Sequence, residues 1–209
     1  MSCVTVCDRK GGGPCRLSCG SLSAGEHEFT VDDASMAKVR KWLAPGVAEE
    51  HGGHLVPHTD GSLRCTETKS DGQYNEIRLS PGVVMFHTHP SGCMSRTGAC
   101  GVSAPSPEDM REFVRMAQRG CAGHVVFSRT SNYTVTIPSM RDVASPETAF
   151  RAFTELHDRF TDDSDADALD EAWAELAERL GFSVDVVAAR DAPVVTISVT
   201  GRRRARAAA

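Results

Sequence analysis

The apolar positions of this chain change period several times, and each change predicts an element. HEFTV (27–31) alternates with period two and predicts a short strand. Asp32 or Asp33 can cap a helix, and Met36, Val39, Trp42 and Leu43 follow at helical spacing until Pro45-Gly46 ends it. EEHGGHLVPHTDGSLRCTET reads as a hairpin, with a strand from about 50 to 56, a turn at Asp60-Gly61 and a return strand at 62–68. Ser70 to Gly72 reads as a further turn, residues 74–79 as a possible strand and Val83–His87 as a clearer one. A loop rich in Gly, Ser and Cys spans 90–105.

SPEDMREFVRMAQRG then returns to helical spacing. Ser106 suits the N-cap, Pro107 the first position, and Glu108 and Asp109 complement the helix dipole. Met110, Phe113, Val114 and Ala117 form its apolar face, and Gly120 closes it. GHVVFS and NYTVTI predict a hairpin turning at 129–131. Two amphipathic helices follow, one carrying Phe150, Phe153, Leu156 and Phe160, the other Leu169, Trp173, Leu176 and Leu180. FSVDVV and VVTISV finish the chain as alternating strands. The elements sum to an α/β chain of the α+β type, and no internal repeat is legible.

Composition narrows this only a little. A chain of 209 residues fits one domain, or one with an added subdomain, and can bury a real core. The 24% charged and 40% hydrophobic residues are ordinary for a globular protein, and the net charge of -5 carries no global sign of nucleic-acid binding. The one basic block, Arg202-Arg203-Arg204 with Arg206, is open to two readings: a solvated end, or a nuclear address or polyanion contact. No apolar run approaches the roughly 20 residues of a membrane span, and the N-terminus has no hydrophobic leader core. An intracellular location, cytoplasmic or nuclear, is therefore expected, with the eight cysteines as thiols or metal ligands rather than disulfides. Cys3, Cys7, Cys15 and Cys19 form two C-x3-C pairs, open to a loose end or a structural zinc.

The candidate chemistry begins at VVMFHTHPSG (83–92). Side chains two apart on a strand share a face, so His87 and His89 converge while Thr88 points away. Two neutral imidazoles so placed suit zinc, which in catalytic sites takes three protein ligands and keeps one open position. Asp109, in the first turn of the next helix, is the best third ligand. Glu50, in E-H-G-G-H-L, can supply a general base, and the paired glycines leave room for the close approach of a strand or substrate. Each piece alone has a plainer explanation: a surface H-x-H, a well-capped helix, a solvated strand end. His51, His54 and His58 offer a competing metal cluster, and His54, on the face of Glu50 and Gly52, can line the cleft. His124 and His157 read most simply as structural.

Glu50 in its E-x-x-G-x-L context, then H-T-H-P at 87–90, then S-P-E-D at 106–109, resembles the JAMM (MPN+, JAB-domain) zinc metalloprotease signature: a glutamate, H-[ST]-H-P and S-x-x-D. The resemblance covers about 27–140. It implies an MPN/JAB-like mixed sheet flanked by helices over 23–140, after a Cys/Gly-rich segment at 1–22. A helix-helix-strand-strand extension at 141–200 and a basic tail at 201–209 then follow. It further implies Zn2+ held by His87, His89 and Asp109, Glu50 as general acid/base and Ser106 as oxyanion donor. The substrates implied are isopeptide conjugates of ubiquitin or ubiquitin-like proteins. The chain departs from the family in its spacer. Residues 90–105 separate His89 from Ser106, 16 positions where the family has fewer, and the insertion carries Cys93 and Cys100. Those two can be a second metal site, a redox pair or plain thiols. The ending A-C-G-V-S-A-P-S-P-E-D-M is similar to JAB-like proteins of large DNA viruses. H-T-H-P-S-G with P-S-P-E-D also resembles RadC-type JAB proteins, which implies a DNA-associated alternative. A non-catalytic MPN scaffold is the third.

Overall fold

The computed structural model describes residues 4–6, 16–18, 25–47, 49–68, 84–90, 104–160 and 166–199, and fourteen elements lie among these described residues. The turn at 70–72, the strand at 74–79, Cys93 and Cys100, the four N-terminal cysteines and the Arg-rich tail lie outside the described residues. In chain order the elements are β1 (Val4–Val6), β2 (Arg16–Ser18), β3 (Gly25–Val31), α1 (Asp33–Trp42), β4 (Gly52–Pro57), β5 (Ser62–Thr68), β6 (Val84–His89), α2 (Pro107–Ala117), β7 (Gly123–Ser128), β8 (Ser131–Thr136), α3 (Pro146–His157), α4 (Ala166–Arg179), β9 (Ser183–Ala188) and β10 (Val194–Val199). The chain is mixed α and β, of the α+β class.

The strands form one sheet in the order β1-β2-β10-β3-β5-β4-β6-β7-β8-β9. β3 with β5 and β6 with β7 run parallel; β4 lies antiparallel to both β5 and β6. β1 and β2 were invisible in the pattern because three-residue strands are too short to show a period. β9 and β10 are consecutive in sequence, yet β9 pairs with β8 and β10 with β3, far apart in the strand order. The sheet curls to allow this. The Asn132 amide donates to the carbonyls of Ala188 at the end of β9 and of Ala189 and Asp191 in the β9–β10 link. A Cβ at Gly123 of β7 would lie only 2.9 Å from Val195 Cγ1 of β10, so no larger residue fits without a shift.

Strand alternation feeds two cores. Phe29, Leu55, Leu63, Val84, Phe86, Val125, Phe127 and Val195 pack with Met36 and Val39 of α1. Met85, Val126, Tyr133 and Val135 pack on the other face, under Phe113 of α2, Phe153 of α3 and Trp173 of α4. Deleting one of these large side chains would cost about 3–5 kcal/mol, because the transfer energy and the cavity both count. α2 and α3 run antiparallel: Arg115 pairs with Glu147, and the Arg111 guanidinium lies 4.7 Å from the Phe150 ring centre. The start of α2 therefore sits near the end of α3.

Candidate metal centre

β6 alternates Val84 and Phe86 into the α1 core and Met85 into the α2–α4 core. His87 and His89 continue the Met85 series, so both imidazoles face the N-terminus of α2. Opposite His87 in the antiparallel register stands Gly52, which lays no side chain over the ring. Gly52 and Gly53 are both buried, each between a residue of β5 and a residue of β6.

The first turn of α2 is held from two sides. Ser106 is the N-cap; its Oγ accepts the Asp109 N–H at 3.1 Å, and Asp109 Oδ2 accepts the Ser106 N–H at 2.7 Å. This reciprocal capping box fixes the Asp109 carboxylate. From α4, the Trp173 indole N–H donates to the Pro105 carbonyl at 3.1 Å and anchors the segment leading into Ser106.

Three donor atoms converge. His87 Nε2 and His89 Nε2 lie 2.9 Å apart, and Asp109 Oδ2 is 3.3 Å from the first and 3.5 Å from the second. Ligands of a tetrahedral zinc at about 2.1 Å would stand about 3.4 Å from one another, so the spacings fit. His87, His89 and Asp109 can thus hold a metal ion. The His87 side chain is 6% exposed against 14% for His89 and 22% for Asp109, which leaves any open position on the His89–Asp109 side. Behind the ligands, His87 Nδ1 lies 2.9 Å from Nε2 of the buried His124.

Burial alone would raise the Asp109 carboxyl, but the His87 and His89 imidazoles outweigh it and hold the group well below the ordinary carboxylate range. Burial lowers His87, and Asp109 with Glu50 more than reverses that, leaving it raised. For His124 the pull of Asp109 is too weak to offset the rest. Burial, reinforced by His87, pushes it down to about 3, so it is neutral at working pH.

Glu50 sits two residues before β4, which starts at Gly52, later than the start near 50 expected from the pattern. Its neighbour explains the delay. The His51 N–H donates to Thr88 Oγ1 at 2.9 Å, and the Thr88 N–H donates to the His51 carbonyl at 2.8 Å. Thr88, the middle residue of H-T-H, thus clamps the segment that carries Glu50. The His51 ring is fixed too, stacked on Trp42 with centres 5.0 Å apart and bound to Glu67 at 2.9 Å. Burial raises the Glu50 carboxyl, while His87, His89 and Asp109 all act on it. All five residues expected of the site, Glu50, His87, His89, Ser106 and Asp109, are therefore in one neighbourhood.

The competing His51, His54 and His58 cluster does not assemble. Residues three apart on an extended chain point to opposite faces: His51 goes to Glu67, while His54 stands opposite Met85 and half-buried. His58 begins the β4–β5 turn. Among the described residues, only His87, His89 and Asp109 have the spacing of a ligand set. Three residues near the site carried no local signal. His124 reaches it through the β6–β7 pairing with Met85, Trp173 through helix packing, and His157 through the α2–α3 crossing. Burial lowers His157, and both Asp109 and His89 act on its charge. Among the described residues no helix is long and apolar enough to cross a membrane. No protein-family model matches this chain, and neither does any curated protein or solved structure.

Proposed function

We propose that this chain is a zinc-dependent metallopeptidase of the JAMM/MPN+ type that hydrolyses peptide or isopeptide bonds, with ubiquitin or ubiquitin-like conjugates as substrates. One observation carries the reading: two imidazoles and a carboxylate converge with ligand spacing beside a separate half-buried glutamate, in the order the signature requires. An N2O donor set with room for a fourth ligand suits zinc. Zinc held there would polarise the scissile carbonyl and acidify a water.

The remaining work falls to side chains. Glu50, its carboxyl raised from its ordinary value by burial, takes the proton of the attacking water and delivers it to the departing lysine amine. An oxygen lone pair of Ser106 is engaged by the Asp109 N–H, which leaves the hydroxyl proton free to stabilise the tetrahedral oxyanion. Such a donor is worth about 10²–10³ in kcat. Thr88 and Trp173 act through others, the first on the Glu50 segment and the second on the Ser106 turn.

The test is cleavage of a di-ubiquitin and ubiquitin-like reporter panel. Cleavage should disappear on chelation, return with zinc, and be absent in Glu50→Gln that still binds zinc. Cleavage that survives both chelation and Glu50→Gln overturns the assignment.

A further inference from the structure

His87 has two ring nitrogens and both are engaged. Nε2 faces His89 and Asp109; Nδ1 faces His124 Nε2 at 2.9 Å. A histidine that ligates through Nε2 must carry its proton on Nδ1, and that N–H needs an acceptor. The usual acceptor is a carboxylate, a backbone carbonyl or a water. Here it is another imidazole, 3% exposed.

Only one proton fits between the two facing nitrogens. If it belongs to His124, His87 must keep its own on Nε2, where it blocks the ion. If it belongs to His87, His124 Nε2 offers a lone pair and the His124 proton moves to Nδ1. That Nδ1 is buried and has no hydrogen-bond partner. The His124 ring has little freedom to turn away. It is carried by β7 in register with Met85 of β6, and Phe113 of α2 lies against it at 5.7 Å.

We propose that His124 is the positioning residue that selects the Nδ1–H tautomer of His87 and thereby presents Nε2 to the metal. This rests on reading His87, His89 and Asp109 as a metal centre, and it leaves the reaction itself aside. The unpartnered Nδ1 of His124 is what that selection leaves behind: an acceptor is supplied at one nitrogen and a donor stranded at the other.

Two measurements on the full-length protein test it, neither of which reads peptidase activity. Imidazole 15N–1H correlation spectra of the zinc-loaded wild type should place the proton of His87 on Nδ1 and that of His124 on Nδ1. A proton on His124 Nε2 overturns the proposal, and this readout needs no variant to fold. Zinc affinity by chelator competition should fall about 10–100-fold in His124→Leu, the usual effect of losing the hydrogen-bond partner of a ligand. His124→Gln, whose amide oxygen can take the place of Nε2, should recover most of that loss. Wild-type affinity in His124→Leu overturns this proposal alone. A wild type that takes up no zinc overturns it together with the metal centre.

Discussion

α1 and α2 each have an aspartate that helps close the N-terminal cap, and the two carboxylates differ in what lies across from them. Asp32, the N-cap of α1, accepts the Ser35 N–H at 2.8 Å and has Arg64 Nε at 3.5 Å, in a half-exposed ion pair. Asp109, at the third position of α2, accepts the Ser106 N–H at 2.7 Å and has two imidazoles at 3.3 and 3.5 Å. The local job is the same, to satisfy an orphan donor of the first turn. What separates a cap from a candidate ligand is the strand end delivered opposite it. β6 stops with His87 and His89 beside α2, whereas the Asp32 carboxylate at the start of α1 faces the exposed β5 residue Arg64.

Removing each carboxylate should separate the two roles most sharply. Asp109→Ala is expected to lose zinc by more than the roughly 10–100-fold typical of losing a ligand's hydrogen-bond partner. Asp32→Ala should keep wild-type zinc content and cost about 1 kcal/mol of stability. Metal analysis and denaturant unfolding of the two variants check both halves. Equal zinc content in the two would erase the distinction.

The α2 cap also leans on a distant helix, which the α1 cap does not. Trp173→Phe keeps most of the ring packing but strands the Pro105 carbonyl, so it should cost about 1–3 kcal/mol in the chelated protein. Full stability of Trp173→Phe in urea would show that the α4 strap is idle.

Thr88→Val should cost about 1 kcal/mol by leaving the His51 N–H without its acceptor, and Thr88→Ser should restore it. Zinc content should hold while reporter cleavage falls, because the Glu50 segment moves and the ligands do not. Zinc loss in Thr88→Val would contradict this division of labour.

The smallest effect concerns pH. Burial keeps His157 below its ordinary value near 6.5. As pH falls through that value the unfolded chain takes the proton before the folded one, so stability is lost on acidification. Chelated His157→Leu should therefore gain on the wild type in thermal scans between pH 7 and pH 5. A gap that is constant with pH would place His157 in solvent.

Most elements from residue 25 onward were legible because their own residues carry the signal. Ser106, Pro107 and Asp109 announce the α2 start, and the switch between periods two and 3.6 marks each strand and helix. The β4 start was misplaced because its first pairing is a side-chain bond from Thr88, 37 positions away. His51, His54 and His58 also read as a metal cluster; His51 and His54, three apart, point to opposite faces and His58 lies in the turn, whereas His87 and His89, two apart, share a face. His124 read as structural because its partner at His87 lies on another strand.

By itself the sequence determined the periods, the caps, the shared face of His87 and His89, and the candidate ligands. These follow from covalent geometry and nearest neighbours, which a linear pattern records. Only the tertiary structure decided that Asp109 faces both imidazoles, that Thr88 clamps the Glu50 segment, and that β10 joins β3 while β9 joins β8. It alone set His124 behind His87 and Trp173 over Pro105. Strand order, sheet curl and helix crossing bring together residues 37 to 68 positions apart. No local periodicity encodes those distances, because burial of the two cores, not the order of residues along the chain, selects them.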